Sequence, residues 1–255
     1  MTPAPGAAPV LETVSLVRRF GGLVATNDVS LALAPGARHA LIGPNGAGKT
    51  TFVNLLTGVL KPTSGTISLG AEDVTDLSVH ARVRRGLVRT FQINQLFPAL
   101  TPAETVALAV AERRGLGRDA WRPAGRGGVA EEAAGILARF GLGDVMNRET
   151  RFLAYGRQRL LEIATAFAAG PRVLLLDEPA AGVPEDERHA ILDILGDLPA
   201  DVTVLLIEHD MDLVFRFADR ITVLVDGALL VDGTPAEVAA DPRVKAVYLG
   251  EGEDA

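Results

Sequence analysis

The chain contains the stretch Gly43-Pro44-Asn45-Gly46-Ala47-Gly48-Lys49-Thr50-Thr51, directly after an apolar run that ends at Ile42. This stretch fits G-x-x-x-x-G-K-[ST], the pattern of a loop that binds phosphate groups. The glycines let the backbone turn with its N–H groups pointing inward, and a helix beginning near Lys49 adds its positive end. Lys49 supplies a cation for the β- and γ-phosphates, and the Thr50 hydroxyl is placed for Mg²⁺. We therefore expect a nucleotide site formed by Gly43, Asn45, Gly46, Ala47, Gly48, Lys49, Thr50 and Thr51.

A second motif ends an apolar run later in the chain, where Val173-Leu174-Leu175-Leu176 precedes Asp177 and Glu178. A buried strand that ends in two carboxylates places them at the carboxyl edge of the sheet, where open α/β sheets bind their ligands. Asp177 is placed to hold Mg²⁺, directly or through water, and Glu178 to orient and polarise an attacking water.

The remaining pattern predicts an α/β fold. Strands are expected at 10–17, 29–33, 66–69, 173–176 and 202–207, with a hairpin over 221–231. Helices are expected at 51–60, 157–168, 185–195 and 211–217, with one or two more over 235–249. Strands that alternate with helices indicate a mainly parallel sheet covered on both faces.

Residues 87–157 are expected to form a helical insertion, with helices at 102–114 and 129–140. The Gly/Arg/Pro-rich connection 115–128 between them is predicted to be an exposed loop. Around the start of the insertion, within residues 79–89, lie Arg82, Arg84, Arg85 and Arg89. Such a cluster is usually a solvated face, although it can also meet a partner or lipid headgroups.

Residues 18–22 are predicted to be a loop that ends in an aromatic residue, Phe20, followed by two glycines. The ring of Phe20 is equally suited to stack on an adenine base or to anchor the loop in the core. Spacing alone does not decide between these two roles.

Composition limits the class of protein. The 255 residues are 48% hydrophobic, which is enough for a full core, and the absence of cysteine excludes disulfides and thiolate metal sites. The net charge of −7 argues against a main role in wrapping nucleic acid. Residues 1–9 lack the features of a secretory signal and are predicted to be a disordered lead-in. No apolar stretch reaches the roughly 20 residues that span a bilayer.

Together with the phosphate loop and the acid pair, Leu153-Ala154-Tyr155-Gly156-Arg157-Gln158 resembles the signature segment of the ATP-binding subunits of ATP-binding-cassette (ABC) transporters. The resemblance is greatest to the subunits of branched-chain amino acid importers. Further stretches that carry it are Arg19-Phe20-Gly21-Gly22, Arg89-Thr90-Phe91-Gln92, Asp177-Glu178-Pro179-Ala180-Ala181-Gly182, Ile207-Glu208-His209-Asp210-Met211-Asp212-Leu213-Val214 and Tyr248-Leu249-Gly250.

This resemblance implies a P-loop NTPase fold of the ABC type. It would comprise a single domain over 10–250, with a mainly parallel core, an N-terminal antiparallel β subdomain, a helical signature subdomain at about 87–157, and a tail at 251–255. It implies that Phe20 stacks on adenine, that Gln92 links Mg²⁺ and water to the helical lobe, and that His209 contacts the γ-phosphate and Glu178.

In the family, the signature loop caps the nucleotide held by the other subunit of a dimer, which implies that role for Ala154, Tyr155 and Gly156. The chain departs from the general signature, which has serine at Ala154, glycine at Tyr155 and glutamine at Arg157. The Ala-Tyr-Gly form also occurs in the branched-chain branch and is not interpreted as inactivation. Pro184 stands where the general pattern has aspartate, which puts the usual contact across the dimer there in doubt.

The function implied is ATP hydrolysis that powers an importer of branched-chain or related amino acids or amides, at the cytoplasmic face of the inner membrane. The partners implied are two transmembrane permeases, a second ABC ATPase or a second copy of the chain, and indirectly a solute-binding protein, with no nucleic acid. One alternative is the ATPase of a lipopolysaccharide exporter, which residues 80–86 and 244–250 also resemble. A soluble ABC ATPase that acts on DNA or the ribosome is a weaker alternative, because the chain is acidic and has no coiled-coil arms.

Overall fold

The computed structural model describes residues 8–90, 96–116 and 128–250. The strands in these residues are β1 (Leu11–Phe20), β2 (Leu23–Leu33), β3 (Arg38–Ile42), β4 (Ser64–Leu69), β5 (Glu72–Asp73), β6 (Leu87–Arg89), β7 (Val173–Asp177), β8 (Thr203–Ile207), β9 (Arg220–Val225) and β10 (Ala228–Gly233). The helices are α1 (Lys49–Thr57), α2 (Val79–Val83), α3 (Pro102–Arg113), α4 (Val129–Arg139), α5 (Tyr155–Ala168), α6 (Glu185–Gly196), α7 (Met211–Phe217), α8 (Pro235–Ala240) and α9 (Pro242–Gly250).

A six-stranded sheet with the order β10-β9-β3-β8-β7-β6 forms the centre of the fold. Its neighbours pair in parallel except for β9 and β10, which form an antiparallel hairpin. Every residue of β7 and β8 is buried, as expected for parallel strands covered on both faces. The predicted parallel α/β core is confirmed.

The N-terminal part of the chain forms a smaller antiparallel sheet with the order β2-β1-β4-β5. The prediction of a loop over residues 18–22 is wrong for its first three residues, because β1 continues to Phe20 and only Gly21-Gly22 form the turn. β2 also begins earlier than predicted, at Leu23. Register shifts between β1 and β2 and the left-handed residues Ser15 and Asp28 interrupt the two-residue alternation on which strand prediction relies.

The core sheet separates two apolar clusters. On one face, β7 contributes Val173 and Leu175 to a cluster with α1 and the antiparallel sheet. On the other face, Leu174 and Leu176 pack with the helices α3, α4 and α5. Because neighbouring side chains of a strand point to opposite faces, one short apolar strand joins both halves of the core.

The helical lobe consists of α3, α4 and the beginning of α5. α3 starts with a capping box between Thr101 and Glu104 and has Pro102 in its first turn. Residues Leu87–Arg89, which the sequence analysis assigned to this lobe, instead form the edge strand β6 of the core sheet. Several predicted segments fall partly or wholly outside the described residues, among them the lead-in 1–9, the connection 115–128 and the tail 251–255.

The arginine cluster is not a uniformly solvated face. Arg82 is 1% exposed and donates to the carbonyl oxygens of Leu55 and Leu56 at the end of α1. Arg85 pairs with Glu72, and Arg89 pairs with Asp177. Only Arg84 of the four is exposed.

His39 on β3 is buried, and its Nε2 shares a hydrogen bond of 2.7 Å with the Thr222 hydroxyl. Burial lowers the pKa of His39 from 6.5 to about 4; the Asp232 carboxylate opposes this shift and the Arg220 guanidinium adds to it. The unfolded chain therefore binds a proton at this side chain as the pH falls from about 6.5 to 4, whereas the folded chain does not.

We expect His39 to remove about 2 kcal/mol from the free energy of unfolding between pH 7.5 and pH 5. The contribution of His39 is measured by comparing the urea unfolding of the wild type and of His39→Gln over this pH range. The amide side chain of the variant cannot titrate, so its free energy of unfolding lacks this contribution. The wild type should lose more stability than the variant as the pH falls. Parallel pH profiles for the two proteins would contradict this prediction.

Candidate functional site

The loop between β3 and α1 runs from Gly43 to Gly48, in the predicted order of strand, loop and helix. Gly46 and Gly48 have φ angles of 81° and 93°, which L-residues rarely adopt. Asn45 and Gly46 are exposed, whereas Ala47 is buried. The loop therefore presents its central residues to solvent while its second half is held by the fold.

Backbone contacts hold that second half. Gly227 N donates to Ala47 O at 3.0 Å, and Asn27 N donates to Gly227 O at 2.7 Å. A Cβ on Gly227 would lie 2.9 Å from Ala25 O, and a Cβ on Gly48 would overlap the same oxygen. The β9–β10 turn and β2 thus fix the loop by backbone approach alone. From the sequence, Gly227 is predicted only to lie in the hairpin over 221–231.

Positive charge is concentrated where the loop enters α1. Lys49 Nζ donates to Gly43 O at 2.5 Å and to Pro44 O at 2.9 Å, so that its ammonium group spans the loop. The first turn of α1 has no acidic residue to offset the helix dipole. Thr50 and Thr51 lie in this turn, and the Thr50 side chain is exposed. The arrangement is suited to an anion that carries several phosphate oxygens.

Phe20 is 43% exposed at the end of β1, so the alternative that it anchors a loop in the core is wrong. The Arg18 guanidinium lies over its ring, 4.5 Å from the centroid. Arg18 Nη1 also donates to Lys61 O at 2.9 Å, which fixes the arginine. One face of the ring is therefore covered by a cation, and the exposed remainder can stack on a planar base.

Asp177 ends β7 and is 6% exposed. Its Oδ2 accepts from Arg89 Nη2 at 2.5 Å, while Arg89 Nη1 donates to Asn54 Oδ1 at 2.7 Å. The arginine thus connects the acid pair with α1, which carries the phosphate loop. This ion pair is not apparent from the sequence, because its two residues are far apart in the chain.

Glu178 follows Asp177 with a φ of 46°, a left-handed conformation that is uncommon for a residue other than glycine. Glu178 N donates to Ile207 O at 2.9 Å. Glu178 Oε1 lies 3.6 Å from Nδ1 of His209, whose side chain is 68% exposed. The structure thus brings these two predicted site residues together at the sheet edge. Backbone strain of this kind is concentrated at functional sites.

Glu208 is a buried carboxylate beside this pair, to which the sequence analysis assigned no role. Its Oε1 accepts from Ala180 N and its Oε2 from His209 N, both at 3.3 Å. Burial raises the pKa of Glu208. The side chain therefore ties the backbone that follows β7 to the backbone that follows β8.

The signature segment leads into α5. Ala154 caps the helix without a side-chain hydrogen bond, and the first turn has no acidic residue. Tyr155 Oη donates to Ala181 O at 3.3 Å, and its ring lies against Gly182. The Glu187 carboxylate lies against the buried Gly156. These contacts are with the segment of the same chain that follows the acid pair.

The predicted Mg²⁺ site includes Gln92 in addition to Thr50 and Asp177. Gln92 lies outside the described residues, as does Phe91. Within the described ranges, no group of three or more acidic or histidine side chains could hold a metal ion. A cation at this edge would therefore rely on few protein oxygens, of which the Thr50 hydroxyl and the Asp177 carboxylate have suitable chemistry, and on oxygens of its ligand.

A cleft of about 900 Å³ lies between the sheet edge at β6 and the helices α3 and α5. Its lining includes the exposed Arg84, together with Ala109 and Glu112 of α3 and Thr165 near the end of α5. None of the helices in the described residues is long and apolar enough to cross a membrane.

Comparison with protein families gives two matches. Residues 26–181 match the family described as ABC transporter, and residues 228–254 match the family described as branched-chain amino acid ATP-binding cassette transporter. The chain is 44% identical to the high-affinity branched-chain amino acid transport ATP-binding protein BraF of Pseudomonas aeruginosa, over 95% of this chain and 98% of BraF. It is 42% identical to LivG of Escherichia coli, which has the same description, over 95% of this chain and 98% of LivG.

Two solved structures of ATP-binding cassettes are also similar to this chain. The ADP conformation of MJ1267, an ATP-binding cassette of an ABC transporter, superposes with a TM-score of 0.83 at 31% identity and covers 95% of this chain and 99% of that one. A nucleotide-free ATP-binding cassette from an ABC transporter superposes with a TM-score of 0.82 at 30% identity, covering 94% and 98% of the two chains.

Removing the guanidinium group of Arg89 from its buried ion pair with Asp177 should destabilise the fold. We expect Arg89→Met to lower the free energy of unfolding by about 3 kcal/mol, because it leaves the Asp177 carboxylate buried without its partner. Adding Asp177→Asn should restore a large part of this loss, as measured by urea unfolding.

The control is Arg216→Met, which removes the arginine of an exposed pair with Asp193. Exposed pairs contribute little, so this variant should lose less than about 1 kcal/mol. Equal losses of unfolding free energy in Arg89→Met and Arg216→Met would contradict the predicted energetic coupling between Arg89 and Asp177. So would the absence of any recovery in the Arg89→Met/Asp177→Asn protein.

Proposed function

Because this chain belongs to the ABC transporter family as an ATP-binding subunit with ATPase activity, we propose that it powers the uptake of branched-chain or related amino acids or amides. The observation that carries this proposal is the identity of more than 40% to two branched-chain amino acid transport ATP-binding proteins over nearly the whole chain. The separate match of residues 228–254 to a branched-chain amino acid family supports it.

ATP would bind along the phosphate loop. The N–H groups of Gly46, Gly48 and the first turn of α1 would cradle the phosphates, and Lys49 would exchange its carbonyl partners for the β- and γ-phosphate oxygens. The adenine base would stack on Phe20. Arg18 supports this role, because a ring fixed from behind loses little freedom when a base stacks on its other face.

We assign Mg²⁺ to Thr50 and Asp177, with Gln92 as a further contact. The oxygen donors present fit this ion, which prefers few carboxylates together with phosphate oxygens and water. When bound, Mg²⁺ neutralises charge that develops on the β- and γ-phosphates. In this arrangement Arg89 holds one oxygen of Asp177, which orients the carboxylate.

Glu178 would orient and polarise the water that attacks the γ-phosphorus and would accept its proton as the bond to the ADP oxygen breaks. His209, 3.6 Å from Glu178, would contact the γ-phosphate and keep the carboxylate in place. Glu208 would hold the backbone of His209 through its hydrogen bond to His209 N.

The functional unit would be a dimer with a second copy or a second ABC ATPase. Ala154, Tyr155 and Gly156 would cap the nucleotide of the partner, since the first-turn N–H groups of α5 have no intrahelical acceptors. Glu187 would have to move away from Gly156 to admit phosphate. Two nucleotides at the interface would favour the closed dimer strongly, and hydrolysis would release it.

In the dimer, the cleft beside β6 of each ATPase would receive a cytoplasmic segment of one of the two permeases, because a segment placed there contacts both the core sheet and the helical lobe. These contacts would hold the chain at the cytoplasmic face of the inner membrane. A solute-binding protein would act indirectly, by presenting cargo to the permeases. The relatives named above favour amino acid import over lipopolysaccharide export or a role with DNA or ribosomes.

A pair of variants tests the nucleotide site. Glu178→Gln should keep its affinity for ATP but lower steady-state hydrolysis by about 100-fold or more, because the water loses its base. Lys49→Ala should lose measurable ATP binding in titration calorimetry, since it removes the cation that spans the loop.

Glu131→Gln, an exposed carboxylate in the first turn of α4, is the matched control and should hydrolyse ATP at the wild-type rate. Normal turnover by Glu178→Gln would refute the assignment of the catalytic glutamate. Unchanged ATP affinity in Lys49→Ala would refute the phosphate site.

A further inference from the structure

Arg159 on α5 is 1% exposed and is surrounded by backbone oxygens. Its Nε donates to Pro179 O at 3.1 Å, and its Nη2 donates to Asp177 O at 3.2 Å and Glu178 O at 2.8 Å. Its Nη1 pairs with Glu162 Oε2 at 2.6 Å, one turn further along α5. One guanidinium thus binds three consecutive carbonyls at the end of β7.

These carbonyls belong to the turn that carries the strained Glu178. A left-handed conformation costs roughly 1 kcal/mol or more for a residue with a Cβ, and it persists only when the surrounding structure imposes it. Here Ile207 O accepts from Glu178 N on the side of β8, and Arg159 donates to Glu178 O on the side of α5. Ala181 N also donates to Glu178 O, at 3.1 Å, from within the turn itself. Arg159 therefore supplies a restraint on the backbone of Glu178 from outside the turn.

The same helix begins with the signature segment. Tyr155 is the first residue of α5, and Arg159 lies four positions later, which is about 6 Å along a helix. A helix is stiff over one turn, so a displacement of its N-terminus displaces the guanidinium as well. The chain therefore contains a short mechanical path from Gly156 through Arg159 to Glu178.

We propose that Arg159 is a positioning residue that holds the Glu178 backbone in its reactive conformation and makes it sensitive to what is bound at the N-terminus of α5. The inference rests on the proposed function, because it assigns Glu178 a part in ATP hydrolysis. In a dimer, the nucleotide that engages one α5 would then adjust the catalytic carboxylate of the same chain.

Arg82 provides a matched control, since it is also a buried arginine that donates to backbone carbonyls. Its partners are Leu55, Leu56, Thr75 and Leu77. These carbonyls lie outside the turn that carries Glu178. Removal of either arginine should therefore destabilise the fold, but only removal of Arg159 should alter the chemical step.

The test compares Arg159→Gln/Glu162→Gln, in which no carboxylate is left unpaired, with Glu162→Gln, Arg159→Lys and Arg82→Gln. For each protein, the kcat for ATP hydrolysis, the Kd for ATP and the Tm are measured. We expect the double variant to lose about 100-fold in kcat, as for a misplaced catalytic group, while its Kd changes by less than about threefold. Arg159→Lys keeps a donor and should recover part of kcat, whereas Arg82→Gln should lower the Tm and keep a wild-type kcat.

The inference is overturned if the double variant keeps its kcat, or if Arg82→Gln loses as much kcat as the Arg159 variants do. If the double variant does not fold, Arg159→Lys decides, and a wild-type kcat in that protein overturns the inference. A wild type that binds ATP without hydrolysing it would instead overturn the proposed function, together with this inference. The two failures are therefore distinguishable.

Discussion

Leu41, Ile207 and Asp177 lie side by side in the parallel strands β3, β8 and β7, and this register determines which side chains meet at the site. Each strand ends within a residue of this row and is followed by the phosphate loop, by Glu208 and His209, or by Glu178. Because neighbouring strands are only about 4.8 Å apart, the three segments share one edge of the sheet. A register shift of one residue in any of these strands would turn its side chains to the opposite face of the sheet, and the residues of the site would no longer meet.

Two arginines also have their partners at this edge of the sheet. Arg89 and Arg159 approach Asp177 and Glu178 from β6 and α5, one through a carboxylate and the other through backbone oxygens. A buried guanidinium is costly to desolvate unless its donors are used, and the planar fork of arginine can serve several acceptors at once. These arginines therefore do more than neutralise charge: they fix the orientation of a carboxylate and the backbone of the strained residue that follows it.

The local patterns predicted the frame of the site well. The glycine spacing and Lys49 located the loop, and the apolar run before Asp177 and Glu178 located the strand. What the sequence did not reveal is long-range. Arg89 and Arg82 belong to one cluster in sequence, yet one binds Asp177 and the other binds the end of α1. Likewise, Gly227 is recognisable as a turn residue, but its backbone contact with Ala25 exists only in the folded chain.

The most direct test of the central claim, that this ATPase drives an amino acid importer, is a purification from detergent-solubilised membranes of its own host. Tagged Glu178→Gln protein would be isolated with ATP, and every chain that co-purifies would be identified. Our account predicts two different permeases with several membrane spans, together with a second ABC ATPase or a second copy of this chain. Export permeases with a periplasmic bridge, or ribosomes or nucleic acid without any membrane protein, would contradict it.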